Sequence, residues 1–481
     1  MIARPSIIYN WGNEQTVSFD VAVIGAGPAG SAAAIRMRAL GLSVALIERA
    51  SFPRYHVGIC IADQTVGLLQ FLGLNHRVLT GSAWRRKATA VSWETSEPSL
   101  VDQPGFHVDR GWLDSMLIEI ARTDGVTIFQ PAQLRELTYL DGDGWSVSLQ
   151  SGMMSAQLNA RFVVDAAGRR PAIRSATSSD APPLVAMHSR WTLQDTPEYD
   201  GLIEAGDNAW LWYAQTDVNQ GALSIFLDPR DLSLKGESPA KRFEQLLSQF
   251  TVFSKRHLQT RTSEVEVCDA GSRHSKNPVS NHHIKVGDAA MSVDPLSSQG
   301  VHLALQSGVQ SSVIANTIIK KPENTKLAID FARKRIQDRV EKYTLRTQGE
   351  YAKIKAQTPS KFWRDRAGSR PLKPMEPLTV SLPLPNNKEE LCIKPDLESK
   401  TAPVIKGDFV EREQVLRRPD TGEVVAFIRG QHIPSLLKHL PDRFLFSQLA
   451  SHLPIDVAAE EKISIIKFLW HAKILERASP T

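Results

Sequence analysis

The sequence predicts an α/β fold in which a Rossmann-like domain is interleaved with an antiparallel sheet and followed by a small winged-helix-like C-terminal domain. Three observations predict it. Near the N-terminus a short apolar strand runs straight into a glycine-rich turn and an alanine-rich helix. Two more strand-to-glycine junctions, at 163–169 and 284–308, enclose a β-rich stretch. A proline-rich segment then precedes a strand pair and short helical runs. The boundaries that follow are 1–182 and 268–365 for the Rossmann-like domain and 183–267 for the antiparallel sheet, joined by strands at 85–108. The linker is 366–405 and the last domain 406–481.

At 481 residues, the chain is long enough for about three domains at roughly 150 residues each. Hydrophobic residues make up 42% and charged residues 23%, which excludes a disordered chain. No run reaches the ~18 apolar residues of a membrane span, and MIARPSIIYNWGNEQ holds no continuous apolar core of a secretory signal. The expectation is a cytoplasmic enzyme without a membrane partner. Cys60, Cys268 and Cys392 are too far apart for a zinc spacing or a disulfide framework, so no metal is expected. A net charge of +5 favours an anionic cofactor or acidic partner but is too small to argue for nucleic acid.

The first element, Phe19 to Ile24, is a buried strand leading into Gly25, Gly27, Pro28, Ala29 and Gly30 and a helix through Leu40. Gly25 allows the tight turn, Gly27 lets a pyrophosphate approach the backbone, and Gly30 allows close packing of helix on strand. The helix start adds N–H donors and a positive dipole. A second strand, Ser43 to Ile47, ends in Glu48 and Arg49, and Glu48 stands 18 residues past Gly30, where ribose hydroxyls find an acceptor. Strand, glycines, helix and terminal carboxylate together read as a dinucleotide site.

Downstream, VVDAAGR carries Ala166 and Gly168 behind a strand, and IKVGDAAMSVDPLSSQGV carries Gly287 and Asp288, then Pro295, with Gly300 and Val301 opening a helix. Arg86 to Trp93, Trp145 to Gln150 and two strands around Asp217 to Gly221 make the topology mixed. Thr325 to Trp363 is a long charged helix with Ile329, Ile336, Val340 and Tyr343 on one face. The prolines from Pro371 to Pro403 read as an extended linker. Beyond it, Asp408 to Leu416 and Glu423 to Ile428 flank a turn at 419–422. Three helical runs follow, with Leu445, Leu449 and Leu453 on one face, Ile463, Ile466 and Trp470 on another, and Asp456 as a cap.

These motifs resemble those of the FAD-dependent monooxygenases of the para-hydroxybenzoate hydroxylase fold, in their flavin-dependent halogenase-like branch, over residues 18 to 350. The resemblance implies FAD, with Gly25, Gly27 and Gly30 at its pyrophosphate and Glu48 at its ribose. It implies Arg110, in HVDRGWLD, beside phosphate and ribitol, Asp288 on ribitol hydroxyls, and Pro295 to Val301 along the isoalloxazine edge. Arg54 and Gly58, in FPRYHVG, match the segment after the ribose carboxylate, but the glutamate that follows in this branch is Ile59 here. Halogenases of the branch carry W-x-W-x-I-P, a lysine that holds hypohalous acid and, in those acting on tryptophan, a glutamate after D-P-L. Here Trp210 and Trp212 are followed by Ala214 and Gln215, Lys87 sits near the lysine's place, and Ser297 replaces the glutamate. Lys87 also reads as the solvated start of a strand.

The expected chemistry is therefore hydroxylation: oxygen passes from a flavin C4a-hydroperoxide to an electron-rich aromatic ring, with His56 and Tyr213 handling protons or orienting the ring. There is no second dinucleotide fold, so NAD(P)H must visit transiently or a separate reductase must supply electrons. The tail resembles the winged-helix domains with which enzymes that modify ribosomally made peptides hold their substrate's leader. Joined, the two resemblances imply a peptide or small protein substrate modified at an aromatic side chain, tryptophan first, as in quinone cofactor biogenesis. The alternatives are halogenation of an aromatic substrate and a flavin-regulated DNA- or partner-binding protein. DNA is disfavoured because FLFSQLASHL has no Lys or Arg for phosphate or guanine.

Overall fold

In the computed structural model, residues 16–54, 56, 60–95, 97–194, 197–232, 237–253, 257–355, 360–368, 383–417, 424–428, 430–454 and 457–478 are described. They form two compact units, Met1–Leu372 and Lys373–Thr481.

The first unit is built on two sheets. Parallel strands β1 (Val17–Ile24), β2 (Val44–Ile47), β6 (Thr127–Phe129) and β9 (Met154–Asp165) run in the order β6-β2-β1-β9, extended antiparallel by β8 (Gly144–Ser151) and β7 (Gln133–Leu140). Strand β18 (His283–Lys285) pairs in parallel with β9 at Val163, bringing the distant Gly287 segment beside the first glycine turn. Val21 to Ile24 are buried on both faces, as a central parallel strand requires. Helix α1 (Pro28–Ala39) lies against this sheet and against α6 (Gly300–Lys320), which runs well past Leu305. The two helices approach closely because a Cβ on Gly308 would stand 2.2 Å from the Ala29 carbonyl oxygen.

The second sheet has the order β15-β11-β14-β13-β12-β4-β5-β3, with β16 beside β11. Its strands are β3 (Cys60–Ala62), β4 (Trp84–Ser92), β5 (Ser99–His107), β11 (Val185–Leu193), β12 (Gly201–Ala205), β13 (Ala209–Asp217), β14 (Gln220–Leu227), β15 (Leu258–Arg261) and β16 (Glu266–Asp269). A small sheet is formed by β10 (Thr177–Ser178), β17 (Arg273–Ser275) and β19 (Met291–Ser292). Helices α2 (Asp63–Phe71), α3 (His76–Ser82) and α4 (Arg110–Thr123) connect early strands, and α5 (Pro239–Leu247) covers one face of the second sheet through Phe243 and Leu246. The long charged helix is α7 (Thr325–Lys355), and Trp363 falls in a separate short helix, α8 (Lys361–Arg366). Among the described residues no helix is long and apolar enough to cross a membrane.

In the second unit the sequence reading needs correction. The span read as linker up to residue 405 contains strands β20 (Glu390–Ile393) and β21 (Glu398–Lys406). Pro403 is tolerated because β21 is the edge of a three-stranded sheet with β22 (Phe409–Arg417) and β23 (Val424–Val425). The turn at 419–422 and Asp456 lie outside the described residues, but β22 and β23 do pair across that turn. Hairpin strands β24 (Phe427–Ile428) and β25 (Gln431–His432) precede helices α9 (Ile433–Leu437), α10 (Leu449–His452) and α11 (Ala459–His471). Strands β26 (Phe444–Leu445) and β27 (Leu475–Arg477) flank β20. Leu445 is therefore on a strand, and both it and Ile463 are exposed; the buried α11 face is Ile465, Ile466, Leu469 and Trp470.

Candidate cofactor and substrate site

The glycine turn separates fold from site. A Cβ on Gly30 would sit 1.8 Å from the Gly25 carbonyl oxygen, and one on Gly25, at φ +102°, 2.5 Å from the Ala166 carbonyl oxygen. Both glycines are demanded by packing alone. Gly27 is different: the nearest atom to its Cβ would be Arg54 Nη2 at 3.7 Å. It is also the N-cap of α1, before Pro28, with no side chain capping the helix. The first N–H groups of α1 thus face an open cradle that suits an anion.

Glu48 closes that cradle. Its buried carboxylate accepts from the N–H of Ala26 (2.9 Å) and of Ala50 (2.9 Å) and from Arg54 Nη1 at 3.3 Å. Arg54 also reaches Asp114, with Nη2 to Oδ2 at 3.6 Å. Arg110 donates Nε and Nη2 to the two oxygens of Asp114, each at 3.1 Å, in a bidentate buried pair. Asp109 caps α4 through the Trp112 N–H and also pairs with Arg190 of β11 at 2.6 Å, which ties the arginine helix to the second sheet. Asp114 was missed by sequence reasoning, although its i,i+4 spacing from Arg110 was a readable signal. Arg49 and His56 are exposed, and Gly58 lies outside the described residues.

The downstream junctions converge on the same edge. Asp165 accepts from the N–H of Ala167 and Ile173, opening the turn at Ala166 and Gly168. Gly287, at φ +54°, would place a Cβ 2.9 Å from Ala29 Cβ, so its turn packs directly on the start of α1. Asp288 is half-buried, with Arg169 Nε at 3.5 Å. Asp294 caps the 3₁₀ turn Pro295–Ser297 through the Leu296 N–H, and α6 then begins at Gly300 and Val301 with no side-chain cap. Helix α2 is joined to this start by Gln64 to Gln299 (2.9 Å) and Thr65 to His302 (3.2 Å). Two helix starts without a side-chain cap, a terminal carboxylate and a half-buried Asp288 along one sheet edge fit the pyrophosphate, ribose and ribitol of FAD. Among the described residues no cluster of His, Cys, Asp or Glu is placed to hold a metal ion.

The second sheet supplies a different set of groups. Alternation along β13 puts Trp210 and Trp212 on one face and Tyr213 on the other. Tyr213 therefore leaves the site: it is fully buried among Leu193, Leu223 and Phe253 under α5, and burial pushes its phenol far above the usual range. His107 takes the more telling position. Its Nδ1 lies 2.8 Å from the Gln215 carbonyl oxygen, so Nδ1 carries the proton and Nε2 the lone pair, buried with no hydrogen-bond partner among the described residues. Burial first, then the Arg86 charge, lowers its pKa to about 4, and its ring meets Trp212 edge-on at 6.1 Å. His188, 2.7 Å from Ser224 Oγ, is lowered to about 3 by burial and then by Arg190.

Arg86 and Lys87 face opposite ways. Arg86 is buried and crosses Gly105 to Cys60, with Nη1 to Sγ at 3.0 Å; burial nonetheless raises the thiol's pKa. Lys87 is exposed, at the point where the register of β4 against β5 shifts. The neighbouring carboxylate, Asp200, accepts from the backbone N–H of Lys87 and Ala88 and from Trp84 Nε1.

A family model described as FAD binding domain matches residues 18–315. The tryptophan 2-halogenase of Chondromyces crocatus is 27% identical over 370 residues, 72% of this chain and 70% of its own. The 1H-pyrrole-2-carbonyl-[peptidyl-carrier protein] chlorinase of Pseudomonas fluorescens is 25% identical over 64% of this chain and 77% of its own. Among solved structures, the flavin-dependent halogenase CmlS superposes with a TM-score of 0.74 at 20% identity, covering 98% of each chain. The peptidyl tryptophan dihydroxylase QhpG, essential for tryptophylquinone cofactor biogenesis, superposes with a TM-score of 0.70 at 23% identity over 94% of this chain and 99% of its own. With the family matched across the glycine turn, the arginine helix and the start of α6, the chain belongs to the FAD binding domain family, as an FAD-dependent oxidoreductase.

Proposed function

We propose that the protein is a monooxygenase that hydroxylates an aromatic side chain, tryptophan first, of a peptide or small protein during quinone cofactor biogenesis. One observation carries the choice of oxygen over halogen. A lysine that delivers halogen must be held in place, whereas Lys87 is exposed and no ion pair holds it among the described residues. Asp200 is taken up by other donors, and Ser297 offers no carboxylate. The buried basic groups nearby are instead Arg86 and neutral His107.

FAD supplies the reduction of O₂ and the transfer of one oxygen atom to an electron-rich ring carbon. The chain's own work is to hold and orient. The start of α1 and Arg54 would hold the pyrophosphate, Glu48 the ribose hydroxyls and Asp288 the ribitol, with Ala166, Gly168 and Gly287 shaping the turns around them. Arg110 acts through Asp114, which it anchors. Trp212 walls the ring, and His107 Nε2 offers a neutral acceptor. NAD(P)H or a reductase brings electrons. The second unit is read as the winged-helix-like holder of a substrate leader, which would add as a strand to the β21 edge by main-chain hydrogen bonds.

A second reading, halogenation, draws on Lys87 lying on β4, the strand joined through β12 to the strand of Trp212. A pull-down of the full chain with mass spectrometry of the bound material tests the peptide. A co-purifying peptide oxidised at an aromatic residue supports the reading. Equal turnover of free tryptophan and tryptophan-bearing peptides would remove the case for a peptide substrate.

A further inference from the structure

Trp210 finds its hydrogen-bond partner off its own sheet. Its Nε1 donates to Tyr351 Oη on α7 at 3.2 Å. The Tyr351 hydroxyl donates to Asp294 Oδ2 at 3.0 Å, and Asp294 Oδ1 accepts the Leu296 N–H at 3.0 Å. Strand β13, helix α7 and the turn entering α6 are thereby joined in one buried chain: Trp210 and Tyr351 are each 1% exposed and Asp294 is 7%. Packing on either side makes the chain stiff. Trp93 meets Trp210 edge-on at 6.2 Å and donates to the Glu350 carbonyl oxygen, and Trp363 donates to the Asp207 carbonyl oxygen at 2.9 Å.

The carboxyl at the joint is poised between two states. Tyr351 from α7, Arg366 from α8 and Arg169 from the turn after β9 act most strongly on Asp294, and Asp180, Arg273, His274 and Tyr343 line the same cleft. Arg366 is engaged with Asp228 at 3.5 Å, with the Pro183 carbonyl oxygen and over the Phe362 ring. Arg169 reaches Asp269 and Asp288. A cleft lined by Asp294, Tyr351, Arg273, His274 and Arg366 borders the carboxyl. Burial pushes its pKa up to about 6. Ionised, it accepts from both donors; protonated, one oxygen must give up acceptor capacity to its own O–H.

We propose that Asp294, Tyr351 and Trp210 are positioning residues that set the turn before α6 from the position of the substrate sheet, with the Tyr351 hydroxyl as the joint. The proposal rests on the flavin monooxygenase reading. It requires a small displacement of the turn to matter more for transfer than for binding, because oxygen transfer depends on near-contact geometry.

The test uses the full FAD-loaded chain with Tyr351→Phe, which keeps the ring and removes the joint, and Asp294→Asn. Readouts are FAD affinity, the visible flavin spectrum, the kcat and KM split, product formed per reductant consumed, and the pH profile. FAD affinity and KM should stay within about twofold while kcat falls about tenfold or more, with reductant diverted to hydrogen peroxide. The acidic limb near pH 6 should move upward in Tyr351→Phe, because the ionised carboxyl has lost a donor, and should disappear in Asp294→Asn. A variant that is less stable yet keeps its spectrum, coupling and acidic limb would reduce the chain to packing and overturn the proposal. If Asp294→Asn does not fold, Tyr351→Phe decides alone. If halogen rather than oxygen is transferred, coupling is counted as halogenated product, so failure of the hydroxylation reading is seen separately.

Discussion

Replacing Gly27 by alanine should separate stability from cofactor binding, because the two glycines of the α1 turn are constrained by different neighbours. At φ −69° and ψ −178°, Gly27 has a backbone that alanine adopts without strain, and its Cβ would meet only Arg54 Nη2 at 3.7 Å. The apo-protein should therefore stay within about 1 kcal/mol of the parent, the less flexible unfolded chain offsetting a poorer N-cap. The same methyl intrudes on the cradle at the helix start. Displacing a phosphate from two charge-assisted N–H contacts, at roughly 1.5–3 kcal/mol each, weakens FAD binding by about 10² to 10⁴. In Gly30→Ala the Cβ would stand 1.8 Å from the Gly25 carbonyl oxygen, so the fold itself should fail. Thermal unfolding of the apo-proteins and titration of FAD by flavin fluorescence read the two effects apart. Parental FAD affinity in Gly27→Ala would refute the placement of the pyrophosphate.

Asp114→Ala leaves the buried Arg110 and the partly buried Arg54 without their shared carboxylate and should cost about 3–5 kcal/mol in a denaturant titration; less than 1 kcal/mol would mean water enters and replaces it. His107 has a folded pKa of about 4 against 6.5 in the unfolded chain, so its contribution is fully present above pH 6.5 and is lost as pH falls toward 4. That loss is on the order of 3 kcal/mol, His188 acts in the same direction, and a His107→Gln protein should show a shallower acid slope in thermal melts. A chain ending at Leu372, the boundary of the first unit, should fold and bind FAD while its turnover of the peptide substrate collapses; loss of flavin on truncation would assign the second unit a structural task instead.

The parts of the site that sequence revealed are those where chemistry is local. Gly25, Gly30 and Glu48 are set by one strand-turn-helix unit, and a clash of 1.8 Å leaves no alternative residue at Gly30. His107, Arg86 and Asp114 were not singled out because their roles depend on contacts across the curled end of the second sheet and between α4 and the Glu48 loop. Tyr213 was misassigned although period-2 alternation from Trp212 already placed it on the opposite face. Strand β21 was hidden by Pro403, which argues against a central strand but not against an edge. Lys87 and Arg86, adjacent in sequence, could be told apart only by the pairing of β4 with Gly105 of β5.

Oxygen transfer is tested most directly by supplying the FAD-loaded protein with reductant, ¹⁸O₂, excess bromide and a set of tryptophan-bearing peptides, then weighing the products. Hydroxylation predicts mass gains in whole steps of ¹⁸O on the aromatic residue, no bromine isotope pattern, and the same result in Lys87→Ala. Bromine in the product that disappears in Lys87→Ala would contradict it and make the protein a halogenase.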